Sequence, residues 1–320
     1  MIADHTHLLI RTGDVVTVRG FPAAGTIIAV PIYFRRPEGG PQLHGASFEK
    51  CVDEFADRYS AEHPELVAES VFGQQVQVKA ADIIEIFDPF GSLDGACGDL
   101  SPMSRNCIDV LSRHVHRSDI GIIGSRLLGF ARTEADLDVV IRGECHLSFM
   151  RFAMPRIVAE MGAVVAIERG QYARSIRKYE RLFNGQYNSF DRMIANRWPT
   201  ICIPGAFFAK LRFTYNPAVD SVPRVPCPTH YSTASIRGVV VDARGVAHMP
   251  RRFTLADARS RKWEVLTYFW DYSYCVSEDD VVTVRGWCDE AARLLVIGDR
   301  REHGVIIDCL AHPSCYVLPE

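Results

Sequence analysis

The chain has no Cys-x-x-Cys pair, although it contains ten cysteines among 320 residues. Their scattered spacing is typical of small core hydrophobes rather than of a zinc site or a disulfide framework. No stretch approaches the roughly 18 apolar residues of a membrane-spanning helix. The first residues have neither the basic segment nor the apolar core of a secretory signal. We therefore expect a protein of the reducing cytoplasm that does not enter a membrane.

The chain also lacks a strong charge of either sign, since its net charge is −3. This argues against a large nucleic-acid footprint, because such affinity depends on many phosphate contacts. With 48% hydrophobic residues, the composition is that of a globular protein. At roughly 100–200 residues per domain, the length predicts two or three domains.

The distribution of strand and helix patterns predicts three consecutive domains. Runs rich in β-branched residues dominate residues 1–92, and a segment rich in glycine, proline and aspartate follows at 88–98. Alternating helical and strand patterns cover 93–200, and strand patterns return over 201–320. We expect a β-rich N-terminal module, a catalytic α/β (α+β) domain with a short mixed sheet, and a mostly β C-terminal module.

One heptapeptide occurs twice. Asp14-Val-Val-Thr-Val-Arg-Gly20 recurs identically as Asp280-Val-Val-Thr-Val-Arg-Gly286. We interpret the two copies as a duplicated structural element with no chemical role, although a strand followed by a glycine turn can also converge on such a string.

The residues that carry chemistry lie between Gly124 and Ile141. Asp136 and Asp138 are two apart in a predicted strand, so both side chains lie on one face with Cα atoms roughly 6.5 Å apart. Two close carboxylates repel each other unless a cation lies between them. Magnesium suits such a pair, because it binds one or two carboxylates together with substrate phosphate oxygens. Manganese is the alternative ion.

Gly124 and Ser125 follow a buried strand pattern, Asp119-Ile-Gly-Ile-Ile123. Glycine allows a backbone to approach a phosphate closely, and the serine hydroxyl and the following amides can donate to phosphate oxygens. Beside a metal site, such a turn could hold a nucleoside triphosphate. Nucleotidyl transfer needs mainly this positioning and charge neutralisation.

The segment resembles the polymerase β superfamily of nucleotidyltransferases, in which an apolar strand, Gly-Ser, a later glycine and Asp-x-Asp follow in this order. It most resembles a group of predicted minimal nucleotidyltransferases found largely in archaea. The resemblance implies a polymerase β-like core, phosphate binding at Gly124 and Ser125, and metal binding at Asp136 and Asp138. It also implies a third carboxylate on a later strand, for which Glu168 is the candidate and Asp220 the alternative.

A basic stretch, Arg169–Arg197, follows Glu168 and is interleaved with aromatic residues. It favours two interpretations equally. One is a surface that binds the triphosphate or a polyanionic acceptor, and the other is a solvated amphipathic helix. The predicted nucleotide-binding residues are Gly124, Ser125, Arg126, Arg174, Arg177 and Lys178. His5 and His7, like His114 and His116, are expected to be surface histidines rather than zinc ligands.

Together these features predict a Mg²⁺-dependent enzyme that transfers a nucleoside monophosphate from an NTP to an acceptor and releases pyrophosphate. Asp136, Asp138 and Glu168 would be its catalytic residues. A small-molecule acceptor is favoured, with tRNA or another RNA end second and a protein hydroxyl as a further option. Two other classes stay open: a regulatory protein that binds NTP without turnover, and a nucleic-acid-binding module formed by the β-rich parts.

Overall fold

A computed structural model describes residues 2–21, 25–51, 55–70, 72–91, 93, 100–131, 136–220, 231–313 and 315–318. The chain folds into two compact units, each assembled from separate stretches of sequence. Unit 1 comprises Met1–Glu69, Gln74–Ala163 and Gly205–Ser221, and unit 2 comprises Ser70–Gly73, Val164–Pro204 and Val222–Glu320. The division into three consecutive domains stays a prediction, and Ser92, at its first boundary, lies outside the described residues.

The N-terminal part of unit 1 is an eight-stranded sheet that curves into a half-barrel. Its strands are β1 His7–Ile10, β2 Val15–Val18, β3 Thr26–Arg36, β4 Gln42–Leu43, β5 Ala46–Lys50, β6 Val67–Ser70, β7 Gly73–Lys79 and β8 Ile83–Phe87. They run in the order β4-β5-β3-β2-β1-β8, and β7 pairs with both β3 and β6. Strands β1 and β2, β1 and β8, β2 and β3, β3 and β5, β3 and β7, and β4 and β5 pair antiparallel, as expected of strands joined by short turns.

The half-barrel carries two clusters of buried apolar residues, a smaller one formed by Val15, Tyr33, Phe48 and Leu128, and a larger core. In β3 buried residues alternate over most of the strand, which buries every second side chain. Helix α1, Phe55–Glu62, adds Tyr59 to the larger core. The core residues are Leu8, Ile10, Val16, Val18, Ile27, Ala29, Phe34, Tyr59, Leu66, Val76 and Val78.

Three strands of a smaller, four-stranded sheet belong to unit 1: β9 Ile120–Ile122, β10 Leu137–Arg142 and β13 Phe207–Thr214. Strand β10 lies in the middle, antiparallel to β9 and parallel to β13. Helices α2, Pro102–Leu111, and α3, Glu144–Met161, pack against each other beside it. A serine followed by proline favours a helix start, and α2 begins in this way: the Ser101 hydroxyl accepts the Ser104 N–H at 3.2 Å, with Pro102 as the first helical residue.

Unit 2 contains a closed five-stranded β-barrel. Its strands pair in the circle β14-β15-β16-β18-β17, which β14 closes by pairing with β17, and β19 adds to β17. Their bounds are β14 Ser232–Asp242, β15 Arg251–Asp257, β16 Lys262–Thr267, β17 Val281–Asp289, β18 Leu294–Val296 and β19 Gly304–Cys309. Alternate residues of β15 and β17 are buried, as a filled small barrel requires.

The remaining elements of unit 2 are shorter. They are β11 Ala166–Ile167, α4 Arg169–Leu182, α5 Phe190–Ala195, β12 Thr200–Ile203 and β20 Tyr316–Val317. Strand β11 pairs in parallel with β20. Among the residues that the structure describes, no helix is both long and apolar enough to cross a membrane.

The predicted fold class, α/β with a polymerase β-like core, is wrong. The protein is β-rich, with 39% strand and 25% helix, and is organised by the closed barrel and the half-barrel. The resemblance rested on one short segment, whereas the strands on either side of it form the larger sheets. Even the small sheet around β10 takes strand β13 from beyond residue 200.

Candidate functional site

The candidate site begins at the turn after β9. The β9 strand is fully buried, and the ladder to β10 continues as far as the Ile123 N–H, which donates to the Asp138 carbonyl at 3.0 Å. The next residue, Gly124, has φ of 71°, a left-handed conformation that favours glycine. A Cβ at this position would lie 3.2 Å from Asp138 Oδ2. Glycine therefore allows both the turn and the close approach of the Asp138 carboxylate.

The two aspartates of the Asp-x-Asp pattern lie at the start of β10. Asp138 is half-buried within the strand, and Asp136 is exposed just before it. Side chains alternate along a strand, so the two carboxylates share the face that adjoins Gly124. Residues 132–135, between the turn and Asp136, lie outside the described part of the chain.

Strand β13 adds a cation to the same face. Lys210 is in register with Asp138 across the parallel β10–β13 pair. Its Nζ lies 3.8 Å from Asp136 Oδ2 and 5.0 Å from the centre of the Phe208 ring. The side chains of Lys210 and Asp136 are 37% and 48% exposed, so solvent screens this pair and a ligand can reach it.

Arg126 is the second cation of the site. Its Nε lies 3.4 Å from the Asp136 carbonyl oxygen. Burial lowers the pKa of Arg126, and the nearby carboxylates of Asp136 and Asp138 oppose that change. The guanidinium is therefore held close to both carboxylates, as a phosphate-binding group beside a metal site would be.

The half-barrel contributes Tyr33 from β3. Burial, followed by the negative charge of Asp138, raises the pKa of Tyr33, and the neighbouring Ser125 side chain opposes that rise. The Tyr33 ring packs edge-on against Phe130, in the loop that follows Ser125, with centroids 4.8 Å apart. Tyr33 thus places the half-barrel next to the serine that was predicted to contact phosphate.

A histidine from β1 lies beneath the turn. His7 Nε2 accepts the Gly124 N–H at 3.1 Å, and His7 Nδ1 is 2.8 Å from the Thr17 hydroxyl on β2. Burial lowers the pKa of His7 to about 4. The expectation that His5 and His7 are surface residues is wrong, because both are buried.

Asp220, the alternative third carboxylate, lies near the opposite end of β10. Its Oδ2 accepts the N–H groups of Glu144 at 2.8 Å and Asn216 at 2.6 Å, so it caps the start of α3. Asp138 and Arg142, the last residue of β10, are separated by roughly 13 Å at 3.3 Å per residue. Asp220 therefore has a structural partner away from Gly124.

The other predicted site residues belong to unit 2. Glu168 is the residue before α4, and Arg174 and Arg177 are exposed on that helix. Lys178 Nζ lies 3.3 Å from Asp271 Oδ1. Burial raises the pKa of Asp271, but the charges of Lys178 and Arg300 outweigh it and bring the value to about 2. Lys178 therefore has an ion-pair partner within unit 2.

Unit 1 thus brings together five of the predicted residues: Gly124, Ser125, Arg126, Asp136 and Asp138. It adds four that the sequence did not predict: His7, Thr17, Tyr33 and Lys210. Lys210 and Arg212 are two apart in the apolar run Phe207–Tyr215, and this spacing indicates a strand with both cations on one face. No spacing in the sequence indicates His7, which is 117 residues from Gly124.

The arrangement offers two carboxylates for a divalent cation and two cations for phosphate oxygens around a glycine-serine turn. Within the described ranges, no group of three or more histidine, cysteine, aspartate or glutamate side chains is placed to hold a metal ion. A bound metal would therefore need substrate oxygens to complete its coordination, as magnesium commonly does. Comparison of the chain with protein-family models, curated proteins and solved structures finds no match.

Proposed function

We propose that this protein is a Mg²⁺-dependent nucleotidyltransferase, which transfers a nucleoside monophosphate from an NTP to an acceptor and releases pyrophosphate. The observation that carries this proposal is the close approach of the Gly124–Ser125 turn to Asp138, whose Oδ2 lies 3.2 Å from a Cβ built on Gly124. A phosphate held at the turn would lie beside the carboxylates. Nucleotidyl transfer requires this juxtaposition of triphosphate and metal ligands.

Asp136 and Asp138 are the residues that would hold Mg²⁺ or Mn²⁺. They share one strand face, and their carboxylate oxygens are ligands of the type that both ions prefer. The bound ion would neutralise charge on the phosphates and polarise the α-phosphate. The chain's own residues then need to hold the triphosphate in line with the acceptor.

Arg126 and Lys210 are suited to that task. A magnesium–NTP complex carries net negative charge, and these cations flank the carboxylates that would hold its metal. Ser125, which lies beside Tyr33, adds a hydroxyl for the β- or γ-phosphate. In the absence of nucleotide, Lys210 and Asp136 partly neutralise each other, which reduces the repulsion between Asp136 and Asp138.

The support for this function is local rather than based on the fold. The segment Gly124–Asp138 resembles the polymerase β superfamily, while the β-rich architecture does not correspond to its core. A third catalytic carboxylate at Glu168, and phosphate contacts from Arg174, Arg177 and Lys178, remain predictions. The acceptor that we favour is a small molecule, with an RNA end second, because the net charge of −3 offers little general attraction for nucleic acid.

The direct test is pyrophosphate release from a panel of NTPs and acceptors by the wild type and by a double variant, Asp136→Ala with Asp138→Ala. We expect the variant to lose all turnover and keep its fold, because both side chains are solvent-accessible. A suitable control is Glu264→Gln. Glu264 is a carboxylate on barrel strand β16 that is ion-paired to Arg252 at 3.6 Å, and its loss should leave turnover unchanged. Undiminished turnover in the double variant would exclude the proposed function.

A second candidate is a protein that binds NTP and Mg²⁺ without turnover. It is favoured by one observation: among the described residues, Asp138 faces Lys210 across the strand pair, and no third carboxylate completes a metal-binding group. Calorimetry separates the two functions. Tight binding of Mg²⁺ and NTP that depends on Asp138, without pyrophosphate release in the presence of any acceptor, would identify the second.

A further inference from the structure

The most unusual group near the candidate site is the buried ring of His7. A backbone N–H can only donate a hydrogen bond, so the contact from Gly124 at 3.1 Å means that Nε2 carries no proton. The neutral ring then carries its proton on Nδ1, which donates to the Thr17 hydroxyl at 2.8 Å. Both ring nitrogens are thus occupied, and the ring is fixed between two strands of the half-barrel and the turn.

This contact determines which groups of the Gly124–Ser125 turn can bind a ligand. The N–H of Gly124 is directed towards His7, so phosphate contacts fall to Ser125 and the residues after it. Gly124 is also the residue that approaches Asp138. Any shift of the Gly124 backbone would therefore change the distance between the phosphate-binding turn and the metal-binding carboxylate.

We propose that His7 is a positioning residue, which holds the Gly124–Ser125 turn against Asp138 and makes the N-terminal half-barrel an integral part of the nucleotide site. This inference rests on the proposed function for its kinetic consequence, but its structural consequence can be measured independently. His7 does not touch the reacting atoms. It acts through Gly124, as an outer-shell ligand orients the groups that bind substrate.

The chain offers a matched control in unit 2. His303 is also fully buried, and its Nδ1 accepts the N–H groups of Gly298 at 3.2 Å and Asp299 at 3.1 Å. Burial lowers the pKa of His303 to about 4, as it does for His7. The two histidines therefore have the same structural role in a glycine-containing turn, but only His7 contacts the candidate site.

The experiment compares His7→Leu, His7→Gln and His303→Leu. We expect both leucine variants to lower the melting temperature, since each leaves a buried N–H without an acceptor. Only His7→Leu should lower kcat/KM for NTP, by roughly 10- to 100-fold, the usual cost of losing an orienting group. His7→Gln should recover part of the loss, because its side-chain carbonyl can accept the Gly124 N–H.

A second pair of variants covers the case in which His7→Leu does not fold. Thr17→Val keeps the ring but removes the acceptor of its Nδ1 proton, whereas Thr283→Val makes the same change in the second copy of the heptapeptide. We expect Thr17→Val to lower kcat/KM and Thr283→Val to leave it unchanged. Equal kcat/KM in these two variants and the wild type would overturn the positioning role, as would equal losses in His7→Leu and His303→Leu.

Hydrogen exchange of the Gly124 amide separates this inference from the proposed function. In ¹⁵N-glycine-labelled protein, the Gly124 N–H should be protected in the wild type and exchange at least tenfold faster in His7→Leu or Thr17→Val, with roughly 1.4 kcal/mol of lost protection. Unchanged exchange would refute the positioning role whatever the activity. Accelerated exchange in a protein that releases no pyrophosphate would support the positioning role and refute the proposed function.

Discussion

The two identical heptapeptides form strands in different units, and their comparison shows which structural roles the local sequence determines. The first copy contains β2 of the half-barrel, and the second begins β17 of the closed barrel. Strand β2 ends at Val18, before the turn at Gly20, which has φ of 75°. Strand β17 continues through Gly286 to Asp289. The same seven residues thus start a strand in both places, but its length depends on the neighbouring strands.

The threonine of the heptapeptide, Thr17 in the first copy and Thr283 in the second, has different surroundings in the two copies. Thr17 is buried and holds the His7 ring beneath the candidate site. Thr283 is hydrogen-bonded to Asp308 at 3.1 Å on the barrel surface. The strand pattern therefore predicts backbone structure, whereas the role of a side chain depends on what packs against that face.

The leading aspartates are alike in burial but not in the donors that they bind: Asp280 accepts from three backbone or amide N–H groups, and Asp14 from one. Asp280 is fully buried and accepts the N–H groups of Ser277 and Ala311, both at 2.8 Å, and the Asn196 side-chain amide at 2.9 Å. Replacement by alanine would remove an acceptor from two buried donors, on Ser277 and Asn196, and from the partly buried N–H of Ala311. We expect Asp280→Ala to lower the free energy of unfolding by about 4 kcal/mol, measured by urea denaturation.

Asp14 provides the comparison for that variant. It accepts the Arg35 N–H at 2.9 Å and the Thr12 hydroxyl at 2.8 Å, and it lies 3.4 Å from His63. Only the Arg35 N–H is a backbone donor, so Asp14→Ala should cost about 2 kcal/mol. A loss in Asp14→Ala as large as that in Asp280→Ala would mean that the number of donors does not explain the difference.

The closing glycines are required for different reasons, and the expected effect of replacing either is smaller than that of Asp280→Ala. A Cβ on Gly286 would lie 2.6 Å from the Val296 carbonyl oxygen, so Gly286→Ala must push β17 away from β18. We expect a loss of about 2–3 kcal/mol, as for an overpacked core. Gly20→Ala meets the strain of a left-handed conformation, about 1 kcal/mol, because Gly20 has φ of 75°. The melting temperatures of the two variants, measured in parallel, test this order. A lower melting temperature for Gly20→Ala than for Gly286→Ala would contradict the prediction.

Features set by near neighbours in the chain could be predicted from the sequence. These include the Ser101 cap of α2, the strand Leu137–Arg142 and the common face of Asp136 and Asp138. The fold class could not, because it depends on which distant strands pair and whether they close into a barrel. For the same reason Lys210 and His7 were missed: their places in the site follow from strand register and burial rather than from spacing.

The central claim is that the Gly124–Ser125 turn and the two aspartates together hold a magnesium-bound triphosphate. A crystal structure with Mg²⁺ and a non-hydrolysable NTP analogue tests it most directly. We predict a metal ion bound to Asp136 and Asp138, with the β- and γ-phosphates on Ser125 and close to Arg126 and Lys210. Nucleotide bound elsewhere in the protein, with neither metal nor phosphate at Asp138, would contradict the claim.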